Sequence, residues 1–135
     1  MKRSLGVSIV IQTLALIAAI CLWAGLCGAV DSSPSPQVPV EGKITMVDFG
    51  ESGCIGCWMQ APIIERIEKK YRDSDQVAIV FINITTHVGQ VAKYQIEEVP
   101  TQIFYDKDGK EVYRHKGFIF ESSIVSRLTK MGAKQ

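Results

Sequence analysis

Two apolar runs with a helical pattern between them constrain the fold of this chain more than any other feature. Residues 43–50 form a short, mostly apolar run that ends in glycine, which is typical of a buried strand. Across residues 55–71, apolar side chains recur at helical spacing with charges mostly between them. Residues 76–84 are a continuous β-branched run, the pattern of a strand covered on both faces. Such a strand–helix–strand unit predicts parallel pairing with a right-handed crossover.

The rest of the chain predicts a hairpin and two further helical segments. Residues 89–96 suit one or two helical turns, and residues 121–132 suit a helix with glycine near its end. Residues 101–106 and 110–117 flank the turn sequence DKDG, which indicates an antiparallel hairpin. The order predicts an α/β fold with a mixed central sheet and helices on both faces.

The first 30 residues predict an export signal or a membrane anchor. Lys2 and Arg3 precede a run without charge from residue 4 to residue 30. Its length reaches the roughly 20 apolar residues that span a bilayer as a helix, which favours retention as an anchor. Cleavage after Ala29 and lipid modification of Cys27 stay open. Since the basic start holds the N-terminus in the cytoplasm, the remainder is expected in the periplasm or on the outer face of the cytoplasmic membrane.

Composition divides the remainder into a tether and one domain. Residues 31–40 are rich in proline and serine and predict a linker that buries too little apolar surface to fold. Residues 41–135 are enough for one domain with one core. The formal net charge is +1 and basic residues form no cluster, so nothing in the sequence indicates nucleic acid as a partner.

Cys54 and Cys57 carry the chemistry that the sequence predicts. They follow the first predicted strand and open the long helix. Unpaired N–H groups and the helix dipole at that position stabilise a thiolate at the first cysteine. The second cysteine, three residues on, is close enough to release a mixed disulfide formed at the first. The pair therefore predicts thiol–disulfide exchange.

Other uses of the two cysteines differ in how well they fit. Covalent haem attachment needs histidine directly after the second cysteine, where the chain has Trp58. A structural zinc site needs four ligands, and the domain has no second cysteine pair; His87 and His115 are interpreted as loop and hairpin residues. A copper(I) carrier that uses the same two thiols stays open, because soft ligands and export both suit it. No cofactor is predicted.

Two segments in the right order resemble the thioredoxin family. Residues 46–62, MVDFGESGCIGCWMQAP, look like its active-site segment, and residues 93–112, KYQIEEVPTQIFYDKDGKEV, are similar to the segment around its cis-proline. The resemblance covers about residues 44–131. It implies a thioredoxin-like fold that is shortened at the N-terminus.

The resemblance also implies roles for four residues. Cys54 would be the attacking thiolate and Cys57 the buried thiol that resolves the mixed disulfide. Asp48 would be the buried carboxylate that takes a proton from Cys57 during reduction of substrate. Pro100 would be cis and face the cysteines, and its backbone neighbours would pair with an extended substrate. Phe81 departs from the pattern because many thioredoxins have there the lysine that partners the aspartate, so Asp48 is expected to be harder to ionise.

The function that follows is an exported thiol–disulfide oxidoreductase. Asp48 favours a reductant of protein disulfides, with protein disulfides or thiols as substrates and a membrane thiol relay as electron donor. A disulfide-forming oxidant and the copper(I) carrier are the alternatives.

Overall fold

The structure, a computed structural model, describes residues 36–134. In that part of the chain four strands and three helices follow one another in the predicted order. They are β1 (Ile44–Gly50), α1 (Ile55–Tyr71), β2 (Val77–Asn83), α2 (Val88–Lys93), β3 (Thr101–Tyr105), β4 (Glu111–Lys116) and α3 (Glu121–Lys130).

The four strands form one mixed sheet in the order β2-β1-β3-β4. Strand β1 pairs parallel with β2 and antiparallel with β3, and β3 pairs antiparallel with β4. All seven residues of β1 are buried. The predicted parallel unit and antiparallel hairpin are confirmed, and β1 lies at the centre of the sheet.

Helices cover both faces of this sheet, as predicted. On one face α1 and α3 pack with Ile67, Ile124 and Leu128, each fully buried. On the other face the core contains Phe49 and Ile103 from the sheet and side chains from α2 and the residues after it. Because side chains alternate along a strand, successive residues of β1 pack into the two cores alternately.

Strand β2 packs into both cores, with Val77 in one and Ile82 in the other, as the β-branched run predicts, but it lies at the edge of the sheet and is only partly covered. Within the described residues β2 has one strand neighbour, β1, and most of its side chains are only half-buried. Phe81 is 51 % exposed. A continuous β-branched run fits a pleated surface at a sheet edge as well as at its centre, so residue type alone does not separate the two.

Packing of the described domain includes Val38, which lies in the segment that the sequence assigns to the linker. Val38 is buried in the core on the α2 face, and its carbonyl oxygen accepts a hydrogen bond of 2.7 Å from the Tyr94 hydroxyl. The predicted signal or anchor, residues 1–30, lies outside the described residues. Among residues 36–134, no helix has the length and apolar character needed to cross a membrane.

Candidate active site

The two cysteines meet at the N-terminus of α1. Cys54 is the N-cap of the helix and Cys57 lies in its first turn, and the two form a disulfide with their Cα atoms 5.2 Å apart. The backbone N–H of Cys57 donates a hydrogen bond of 3.0 Å to the Cys54 sulfur. An N–H group at a helix N-terminus that is directed at this sulfur stabilises negative charge there once the disulfide is reduced.

The two sulfur-bearing residues differ in their access to solvent. Cys54 is half-buried, whereas Cys57 is 8 % exposed. Large apolar side chains beside them face outwards, with Ile55 and Trp58 each more than three-quarters exposed. A substrate that approaches this end of the sheet therefore reaches Cys54 more readily than Cys57.

Pro100 packs against the loop that carries the cysteines. Its peptide bond to Val99 is cis, as the resemblance implies. The carbonyl oxygen of Val99 lies 3.5 Å from the Cys54 sulfur. On the other side, a Cβ built on Gly56 would lie 3.1 Å from Cδ of Pro100, so the glycine allows the close approach.

Asp48 is buried in β1 with one hydrogen-bonded side chain beside it. It is 3 % exposed, and its Oδ1 accepts a hydrogen bond of 2.7 Å from Nε2 of Gln102. Burial raises the pKa of Asp48 from 3.8 to about 6, and the hydrogen bond from Gln102 lowers it in part. A carboxyl group with such a pKa gains and loses a proton near neutral pH.

Cys57 lies over the same face of β1 as Asp48. Asp48 and Gly50 are two residues apart in the strand, so their side-chain positions share a face about 7 Å apart. A Cβ built on Gly50 would lie 3.5 Å from Cβ of Cys57 and 3.0 Å from Cε2 of Phe81. The missing side chain at Gly50 therefore leaves the space in which Cys57 and Phe81 approach the strand.

Phe81 lies beside Asp48 on β2, the strand that flanks β1 on the side away from β3. The two residues are register partners in β1 and β2. Phe81 lines a surface groove together with Cys57, Trp58 and Ala61. No salt bridge between residues 36 and 134 involves Asp48. The β2 neighbour of Asp48 is therefore an aromatic ring and not a cation, and burial is the largest cause of the raised pKa of Asp48.

Comparison with known proteins identifies the family. The sequence profile described as Thioredoxin matches residues 30–130. The chain belongs to the thioredoxin family. Thioredoxin 1 of Synechococcus elongatus is 30 % identical over 106 residues, which are 78 % of this chain and 96 % of that protein. The chloroplastic thioredoxin-like protein HCF164 of Oryza sativa is 26 % identical over 76 % of this chain, but the match spans 36 % of the HCF164 sequence.

A solved structure supports the same fold. The crystal structure of the pneumococcal exposed lipoprotein thioredoxin Etrx1 from Streptococcus pneumoniae superposes with a TM-score of 0.59 at 21 % sequence identity. The match covers 67 % of this chain and 86 % of that one. The predicted thioredoxin-like α/β fold is confirmed.

Family membership and the disulfide together identify the class of chemistry. A thioredoxin with a CxxC pair is a thiol–disulfide oxidoreductase, and thioredoxins generally act on protein thiols or disulfides. That part of the predicted function is confirmed. The structure brings Cys54, Cys57 and Pro100 together and places Asp48 on the same face of β1 as Gly50, which Cys57 approaches, while the catalytic roles of the four residues stay predictions.

Gln102 is the site residue that sequence reasoning missed. It is fully buried in β3, directly opposite Asp48 in the antiparallel register. The available signal was a long amide side chain in the strand run TQIFY, two positions after Pro100. A buried polar side chain needs a partner, and the partner here is Asp48.

The two histidines lie where the sequence places them. His87 precedes the first residue of α2, and Nε2 of His115 in β4 lies 3.0 Å from the carbonyl oxygen of Phe118. Within the described part of the chain, no three side chains of the types His, Cys, Asp and Glu gather in a way that would hold a metal ion.

The stability of this thioredoxin should depend on the ionisation of Asp48. Because the pKa of Asp48 is raised in the folded state, its ionisation destabilises the fold. The cost is absent below the usual value of 3.8, grows as the pH rises and is complete above about 6. Asp48→Asn removes the charge and keeps an oxygen that accepts from Gln102. We expect the variant to be more stable at pH 7.5 by up to about 3 kcal/mol, and no more stable than wild type below about pH 4.

Urea unfolding at a series of pH values measures this difference. Asp73→Asn is the matched control, since Asp73 is exposed and its replacement removes a carboxylate that carries no burial cost. If the unfolding free energies of the Asp48 variant and wild type stay parallel from pH 4 to pH 7.5, the carboxyl group does not carry the burial cost assigned to it.

Proposed function

We propose that this thioredoxin is an exported reductant of protein disulfides, held at the membrane by its N-terminal segment. The observation that carries the reducing direction is the buried Asp48 on the strand face below Cys57, with a pKa of about 6. A carboxylate there is suited to take a proton from a buried thiol at neutral pH. Such a proton acceptor matters for the step in which Cys57 attacks, which is the second half of substrate reduction.

The reaction runs in two exchanges. The Cys54 thiolate attacks one sulfur of the substrate disulfide; the new S–S bond forms, the substrate bond breaks and one substrate thiolate leaves. Cys57 then gives its proton to Asp48 and attacks the Cys54 sulfur, which releases the second substrate sulfur as a thiolate. Two electrons have passed to the substrate, and the protein holds the Cys54–Cys57 disulfide. The proton on Asp48 is free to return to solvent or to a leaving thiolate.

The surface around the disulfide suits a protein substrate. Ile55 and Trp58 present exposed apolar area on one side of Cys54, and the Val99 carbonyl oxygen lies 3.5 Å from its sulfur on the other. An extended peptide chain can pair its backbone with a segment such as Val99-Pro100 while its side chains contact the apolar residues. A small thiol offers no partner for most of this surface.

Export and anchoring rest on the sequence. Lys2 and Arg3 followed by an uncharged run to residue 30 support insertion with the domain outside the cytoplasm. An exported reductant is separated from cytosolic electron donors, so a membrane thiol relay would return the disulfide of Cys54 and Cys57 to the dithiol.

The reduction potential of the pair tests the direction of the reaction. We expect a value near the roughly −270 mV of thioredoxin, since the proposal requires a pair that gives up electrons readily. Equilibration with glutathione or dithiothreitol buffers, followed by alkylation and mass measurement, gives the potential. A value near about −120 mV would instead make the protein a disulfide-forming oxidant.

Single-cysteine variants test the order of attack. Cys57→Ser should accumulate mixed disulfides with substrate proteins, because Cys54 still attacks and nothing releases the product. Cys54→Ser should trap none and abolish exchange. Non-reducing gels of cell extracts, with mass spectrometry of the trapped bands, distinguish the two. Trapping by the Cys54 variant and not by the Cys57 variant would reverse the assigned roles.

Membrane fractionation tests the anchor. The full chain should sediment with membranes and resist extraction at alkaline pH, because a spanning segment is held by burial of its apolar side chains. The domain should be accessible to protease added on the extracytoplasmic side. Recovery of a soluble protein that begins at Val30 would show a cleaved signal in place of an anchor.

A further inference from the structure

Gln102 and Asp48 form a buried pair across two strands. They are directly opposite one another in the β1–β3 register, where side chains of an antiparallel pair have Cβ atoms about 5 Å apart. Neither is more than 3 % exposed. The Nε2–Oδ1 distance of 2.7 Å is short for a hydrogen bond from nitrogen and typical of one to a charged group.

The chemistry of an amide gives this bond a direction. An amide nitrogen donates and cannot accept, so the bond from Nε2 forms with an unprotonated Oδ1. Oε1 of Gln102 is buried and has no hydrogen-bond partner within the described residues. With Oδ1 held by Gln102, the second carboxylate oxygen, Oδ2, is the one left to receive a proton from the side of Cys57.

We propose that Gln102 is a positioning residue for proton transfer in this thioredoxin: its amide holds Asp48 ionised and orients Oδ2 towards the thiol of Cys57. The inference rests on the proposed function, in which Asp48 accepts the proton of Cys57. In thioredoxins with a lysine beside this carboxylate, the cation favours the ionised form. Here Phe81 stands in place of that lysine, and the neutral amide of Gln102 favours the ionised form instead.

Several elements contribute polar or titratable groups near this end of β1. Helix α1 contributes Cys57, which approaches the strand at Gly50, and β2 contributes the apolar Phe81. Glu51, which follows β1, lines the same groove as these two side chains. On β4, His115 is the register partner of Gln102, so it lies one strand further from Asp48 on the same face. Its Nε2 is next to the Phe118 carbonyl oxygen. Gln102 therefore stands between Asp48 and the nearest histidine in the row.

Removal of the amide tests the proposal. Gln102→Met keeps a side chain of similar length without a donor, and Gln102→Leu is a second variant in case the first does not fold. The reduced full-length protein is mixed with dithiobis(nitrobenzoate) in a stopped-flow instrument. The first thionitrobenzoate released reports attack by Cys54, and the second reports attack by Cys57 on the mixed disulfide.

The second release should respond and the first should not. Loss of a hydrogen bond to a charged group is expected to move the pH midpoint of the second release upwards by about one unit or more, and to slow it several-fold at pH 7. The first release should keep its wild-type rate, because Cys54 is activated by the helix N-terminus.

The same substitution in the Asp48→Asn background provides the control. If Gln102 acts through the carboxylate, it should cause no further change there, whereas a loss of packing alone would slow both backgrounds equally and overturn the inference. An unchanged pH midpoint in the single Gln102 variant would also overturn it. If Asp48→Asn alone leaves the second release unchanged, the proposed role of Asp48 fails and the role of Gln102 fails with it. If Asp48→Asn slows the second release but the Gln102 variant does not change it, only the role of Gln102 fails.

Discussion

The pairing of β1 on both sides is the constraint on which the rest of this thioredoxin depends. Every residue of β1 is buried, between β2 in parallel and β3 in antiparallel register. Its alternating side chains serve two cores, and its end leads directly into the helix N-terminus that carries Cys54. One strand therefore fixes the position of the carboxylate, of the glycine below Cys57 and of the cysteine loop together.

A carboxyl group in such a strand needs a compensating interaction, and this chain provides an amide. Transfer of a charge into a buried site is costly, and the usual compensation is a cation. Gln102 supplies one hydrogen bond, worth about 1.5–3 kcal/mol when the acceptor is charged. That offsets part of the cost and leaves the pKa of Asp48 at about 6. Partial compensation is what keeps both protonation states accessible near neutral pH.

The strands, helices and cysteine motif of this chain are predictable from local sequence, whereas its long-range side-chain contacts are not. Helical and strand periodicity are local, so α1 and β1 were predicted within a residue, and the spacing of Cys54 and Cys57 identified the redox pair. Asp48 and Gln102 are 54 residues apart, and their contact depends on the register between β1 and β3, which no single segment encodes. The exposure of Phe81 was missed for the same reason, since it depends on which strand lies at the sheet edge.

The environments of the two thiols differ in a way that can determine which cysteine attacks first. Cys54 is the more accessible, and its sulfur receives an N–H group from the first turn of α1. Cys57 is buried above Gly50, so its ionisation needs a nearby base more than it needs solvent. Asp48 can serve as that base only while it is itself ionised, which the amide of Gln102 favours. In the proposed reaction, attack by Cys54 is then governed by the helix and attack by Cys57 by the sheet, so substitution of Gln102 should affect the second step alone.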